Sequence, residues 1–301
     1  MAANAVALRL PNPARIRAWI NRLPFFTRGI LLLVLLSSIA GLIVSWIIPA
    51  SALIPSQVSI FAGTPSVQPD VKTKTDLFVL AYRLNTFPIV HAGIICAIIS
   101  LIPLIPLLER FESQYGTLVS AALFFGPFAT LPGVLYILIN HVILRADTPI
   151  QGSMTWSYLL LSMEALMLHR RHPSFKLGDI NLPIWPFPIP LLVFLHFLLP
   201  SVILHDSLLG NLCGCLVGYG FELGYLKFLI PPERALRYIE GKLNLLGRLP
   251  HYVSVDQKTF GRYGSVLPLD EDGGRGIRRN GADRRSTPVT GAAGIATVPA
   301  R

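Results

Sequence analysis

Gly116–Leu144 runs 29 residues without a charged side chain, and it is one of six such apolar blocks in a chain of 301 residues. Gly29–Ile48 and Phe87–Leu108 are also charge-free. Ile150–Leu168 carries only Glu164, Pro183–Leu204 carries no charge, and Ser207–Ile230 carries Glu222 and Lys227 near its far end. Each block meets the roughly 20 residues that a helix needs to cross a hydrocarbon core. The expected fold class is an all-α membrane protein with six transmembrane helices. Gly116–Leu144 is long enough to span with tilt, or to break at Pro127 and Pro132. At 52 % hydrophobic and 14 % charged residues, the chain is too apolar for an ordinary soluble domain.

The basic residues orient the blocks. The first 28 residues hold Arg9, Arg15, Arg17, Arg22 and Arg28 and no acid; the connection HRRHPSFK adds Arg170, Arg171 and Lys176. The opposite side offers only Lys72, Lys74, Arg83 and Arg145. The positive-inside rule then puts both termini in the cytosol. The net charge of +10 reflects this topology and contact with anionic lipid of the bilayer rather than nucleic-acid binding. Ala50-Ser51-Ala52 resembles a signal-peptide cleavage site, but the apolar run before it is too long for a signal peptide. Cys96, Cys213 and Cys215 fall inside spans, so no disulfide is expected.

Four regions follow: a basic cytosolic N-terminus over 1–24, a membrane domain over 25–230, a cytosolic segment over 231–268 and a tail over 269–301. Leu236, Ile239, Leu243 and Leu246 recur at three- and four-residue spacing after Pro231 and Pro232, as in an amphipathic helix lying on a membrane surface. The tail is almost devoid of large apolar residues and is expected to be disordered. No phosphate-binding glycine loop and no metal-ligand spacing occurs, so neither a cofactor nor a metal is expected.

Within the last apolar block, Gly210, Gly214 and Gly218 share one helix face, where a neighbouring helix can approach to backbone contact. Asn211 projects beside that face. If spans two, four and six run the same way, Asn211 lies at the depth of His91 on span two and of Gln151, Ser153, Thr155 and Ser157 on span four. Polar groups at such depth are costly unless paired or hydrated, which marks a functional site; hydrogen bonding between helices is the plainer explanation.

The runs YRLNTFPIVH, LLERFESQYGT, GSMTW, LLGNLCGCLVGYGFELGYLKFLIPPE and IEGKLNLLGRLPHYVSVDQKTFGRYGSVLP together resemble the rhomboid family of intramembrane serine proteases, specifically its fungal Golgi-type rhomboid protein 2 group. The similarity covers roughly residues 20–268. It implies the six-helix rhomboid fold and a site of four positions. These are a serine in G-x-S on span four, a histidine in H-x-x-G-x-x-x-G on span six, and an oxyanion-binding histidine and asparagine in H-x-x-x-x-H-x-x-x-N on span two.

This chain departs at all four. The nucleophile position is Met154, the base position is Asn211, and the oxyanion positions are Cys96 and Ser100; only the first histidine persists, as His91. A thioether cannot attack a carbonyl, and an amide takes no proton at neutral pH. Ser153 is a possible substitute nucleophile, but one residue turns a side chain about 100° around a helix. The resemblance therefore implies an inactive rhomboid of the Golgi or ER membrane that binds transmembrane client proteins in trafficking or quality control; the alternative is an active intramembrane serine protease. Phe260, Gly264 and Leu267 keep the spacing of the F-x-G-x-G-x-x-L box by which some rhomboid relatives bind the valosin-containing-protein type of AAA ATPase, with Arg262 in place of the first glycine.

Overall fold

A computed structural model describes residues 13–55, 79–177, 180–198, 207–243 and 251–254, all within one compact unit spanning residues 1–262. Phe260, Gly264, Leu267 and Leu246, and the tail over 269–301, lie outside the described residues. The apolar runs and two short basic amphipathic segments form the helices: α1 (Pro13–Arg22), α2 (Phe25–Ile43), α3 (Ile47–Ser51), α4 (79–86), α5 (Ile94–Tyr115), α6 (Thr117–Phe124), α7 (Pro127–Ile137), α8 (Met154–Arg171), α9 (Pro188–Leu198), α10 (Leu208–Leu223) and α11 (Glu233–Leu243).

Three helical stretches among the described residues are long and apolar enough to cross a membrane: Phe25–Ile43, Ile94–Tyr115 and Thr117–Ile143. The last is the 29-residue block; of the two prolines expected to break it, Pro127 does, while the helix runs on through Pro132. Gly126 interrupts the ladder, Pro127 starts the next helix, and the run ends in a π-helical turn at Leu138–Ile143. The second begins later than the apolar block does, because Phe87–Gly93 is turn and extended chain and places His91 outside the helix. The remaining blocks give α8, α9 and α10. At 16 residues, α10 reaches about 24 Å, short of the roughly 30 Å of a hydrocarbon core. Leu36, Leu42, Ile95, Ile98, Ile102, Val134 and Leu216 point outward from these helices. That apolar exterior is the one lipid solvates, and it makes the chain an integral membrane protein.

The core is aromatic. Phe111, Phe124, Phe128, Phe221 and Trp156 meet edge to face at centroid distances of 5.0–5.7 Å, as the ring quadrupole favours, and Phe26 adds a tilted contact to Phe124 at 5.6 Å. Trp156 also donates its indole N–H to Phe128 O at 3.1 Å, fixing α8 on α7. HRRHPSFK divides between elements: His169–Arg171 end α8, and Ser174–Lys176 enter β1 (Ser174–Leu177), which pairs antiparallel with β2 (Ile180–Pro183). Leu236 is buried on α11, whereas Ile239 stays 41 % exposed beside Tyr238, so the predicted apolar stripe divides between protein and surroundings.

The bundle has two distinct ends. At the basic end lie Arg22, Arg28, Arg170 and Arg171, the start of α2 and the end of α10. There Arg170 reaches both the carboxylate and the carbonyl of Glu222 at 2.8 Å, closing the C-terminus of α10 onto α8. At the other end α8 and α10 begin, and the polar residues of α5 face them.

Candidate functional site

The N-terminus of α8 is set by a glycine. Gly152 has φ +106°, which a side chain would resist, and its N–H donates to Phe87 O at 2.7 Å. This turn delivers Ser153 as the N-cap of α8. The Ser153 N–H donates to His91 Nε2 at 3.0 Å, and its Oγ lies 3.2 Å from the same nitrogen. Ser153 Oγ also donates to Ser100 Oγ at 3.0 Å, and Ser100 Oγ is 2.8 Å from His91 Nε2. Ser157 Oγ donates to Ser100 O at 3.3 Å. All four side chains are buried.

A main-chain N–H can only donate, so His91 Nε2 is an acceptor and the ring proton belongs on Nδ1. His91 therefore works as a neutral pin, joining the approach to α5 with the first turn of α8. The sequence places His91 and Ser153 at one depth but does not pair them; the structure does.

Met154 turns away from this cluster. It is buried against Tyr158, Leu192 and Cys215, an apolar pocket between α8, α9 and α10. Asn211 is buried too, and its Oδ1 accepts from Thr155 Oγ1 at a long 3.4 Å. Cys96 is half-buried, and the oxygen that α5 contributes to the cluster comes from Ser100. The three polar groups on different helices thus meet as two sets: His91 with Ser100 and Ser153, and Thr155 with Asn211. Neither contains a hydroxyl beside a group on α10 able to take its proton.

Close helix packing holds these sets in place. A Cβ on Gly214 would overlap the main-chain carbonyl of Thr155, and one on Gly218 would overlap Leu159 O and Ser162 Oγ. Gly210 instead faces the flexible end of Ile150. With no room for even a methyl group, α10 lies on the backbone of α8.

The basic end holds a second buried cluster that pattern reading passed over. Glu112 is fully buried and accepts from Phe26 N–H at 2.9 Å, Thr27 N–H at 2.8 Å, Thr27 Oγ1 at 2.8 Å and Thr117 Oγ1 at 2.7 Å. Two of these donors are first-turn N–H groups of α2, which have no acceptor within the helix, and the helix dipole favours a negative charge there. An acid just past a charge-free block, in LLERFESQYGT, was the available signal.

No protein-family model matches the chain. Among curated proteins it is 49 % identical to rhomboid-type serine protease 2 of Neurospora crassa over 261 residues, covering 85 % of this chain and 86 % of that protein. It is 43 % identical to rhomboid-type serine protease B of Aspergillus fumigatus over 270 residues, covering 89 % and 91 %. A third relative, rhomboid-type serine protease 2 of Gibberella zeae, is 43 % identical over 258 residues, covering 85 % and 88 %. Identity at this level over most of both chains leaves one conclusion: this helical membrane protein belongs to the rhomboid family, beside the fungal rhomboid-type serine proteases.

Proposed function

We propose that this chain is a catalytically inactive rhomboid, a six-span protein of the Golgi or ER membrane with both termini in the cytosol. It binds transmembrane segments of client proteins and influences their trafficking or quality control without cutting them. One observation carries this reading. Met154, at the family's nucleophile position, is packed among Tyr158, Leu192 and Cys215, while Asn211, at the base position, is an amide held by Thr155. A serine protease needs an activated hydroxyl and a base within hydrogen-bond reach.

A second reading has its own observation. Ser153 Oγ stands 3.2 Å from His91 Nε2, within the range of a nucleophile and its base, so a rewired active protease is conceivable in geometry. Against it, the Nε2 lone pair already receives the Ser153 N–H, and Ser153 is fully buried. A fluorophosphonate probe applied to the solubilised protein beside an active relative separates the two. The inactive reading expects no labelling. Labelling that vanishes in Ser153→Ala would establish the rewired enzyme instead.

The partner expected on the cytosolic side is an AAA ATPase of the valosin-containing-protein type, engaged by Phe260, Gly264 and Leu267. Its mode would be extended-peptide capture, with Phe260 and Leu267 filling apolar pockets. A peptide spanning residues 250–270 is expected to retain the purified ATPase, and Phe260→Ala to lose it. Absence of retention by the unsubstituted peptide would remove this partner from the proposal.

A further inference from the structure

At the basic end of the bundle, the N-termini of two membrane helices are closed by a segment far away in sequence. The Phe25 N–H of α2 donates to His251 O at 3.1 Å. The Thr117 N–H, opening α6, donates to Val253 O at 3.0 Å, and Val253 N–H returns to Thr117 Oγ1 at 3.0 Å. Thr117 Oγ1 can accept from Val253 because its own proton is committed to Glu112 Oε1. The carboxylate thereby fixes the direction of a relay running from Glu112 through Thr117 to Val253.

The close approach has a second requirement. Gly116 has φ +92°, which a side chain would resist, and this glycine turn between α5 and α6 lies in van der Waals contact with Val253 O and Ser254. Tyr252 and Ser254 are buried on either side of Val253. Burial pushes the Tyr252 hydroxyl well above its ordinary pKa, and the charges of Glu240 on α11 and of Glu112 push it further. His251, by contrast, is exposed and sits at φ +63°, a left-handed conformation that a histidine adopts at a cost.

We propose that His251–Ser254 is a detachable strap: a short extended segment that caps α2 and α6 through its main chain and is held by Thr117, with the strained His251 as its release point. Release frees Phe25 N–H and Thr117 N–H together, so the strap couples the start of α2 to the start of α6. The strap directly precedes the residues proposed above to engage an ATPase, and a pull on those residues reaches it first. That consequence rests on the proposed partner; the strap itself does not.

Hydrogen exchange read by mass spectrometry on the full-length protein in detergent tests it, with no partner present. The peptide covering 250–256 is expected to exchange more slowly than the same peptide free in solution. Thr117→Val keeps the side-chain shape and removes the Oγ1. It loses two hydrogen bonds, from Val253 N–H and to Glu112, and should speed exchange at 250–256 and at 20–28 by at least about fivefold, roughly what one of them is worth. Peptides from α8 and α10 should not change. His251→Gly relieves the left-handed strain and should slow exchange at 250–256. Free-peptide exchange at 250–256 in the unsubstituted protein would overturn the proposal. So would indifference to Thr117→Val. Equal acceleration of α8 and α10 would show a general loss of stability and overturn the strap as a separately releasable unit. Because the ATPase is absent throughout, failure of the tail box to bind it leaves these outcomes unaffected.

Discussion

Gly218→Leu is expected to prevent accumulation of folded protein, or to lower its stability by more than about 3 kcal/mol. The reason is chiefly the position of a main-chain carbonyl. A Cβ at 218 overlaps Leu159 O and Ser162 Oγ, and neither the carbonyl of a helix nor the hydroxyl bonded back to it can swing away. Gly214→Leu meets the carbonyl of Thr155 and should behave alike. Gly210→Ala meets only the side-chain end of Ile150 and should be the mildest of the three. Thermal unfolding in detergent orders them. A Gly218→Leu protein that purifies with an unchanged midpoint would disprove the packing of α10 on the backbone of α8.

Glu112→Ala should cost about 4 kcal/mol or more, since it strands two main-chain N–H groups and two hydroxyls in a buried site. The informative companion is Glu112→Gln. Each carboxylate oxygen accepts one main-chain N–H and one hydroxyl, so either orientation of an amide turns an NH2 toward a main-chain N–H that cannot rotate. Glutamine, nearly the same shape, should therefore still lose about 2 kcal/mol. Equal unfolding midpoints for Glu112→Gln and the unsubstituted protein would mean that the group does not act as a four-fold acceptor. Both variants should also loosen α2 and α6 ahead of α8 and α10, because the cluster ties the first two and touches neither of the others.

Reading the chain alone identified the long apolar helices, the break at Pro127 and the small-residue face of α10. Each of these is a local property: charge-free length, a residue lacking an N–H, and glycines four apart. The resemblance supplied the family and the positions at Met154 and Asn211. It did not supply what surrounds them. That Met154 joins Tyr158, Leu192 and Cys215, or that Asn211 meets Thr155, depends on how three helices turn about their axes, and composition cannot specify that rotation.

The pairing of Ser174–Leu177 with Ile180–Pro183 is not legible in the sequence although Phe175 and Leu177 alternate with Ser174 and Lys176, because runs of four residues are too short to mark strands; the antiparallel pairing decides it. His91 was visible as a residue but not as the pin of α8, since the turn at Gly93 frees it from the helix that the apolar block suggested. Glu112 was hidden for the opposite reason: it lies just beyond a charge-free block and reads as an interfacial acid. Sequence by itself determined that this chain lies in a membrane as packed helices, because apolar length and backbone hydrogen bonding permit little else. Only the tertiary structure decided which polar groups meet, because a hydrogen bond spanning 62 residues from Ser153 to His91, or 136 from Val253 to Thr117, exists only once the helices are packed.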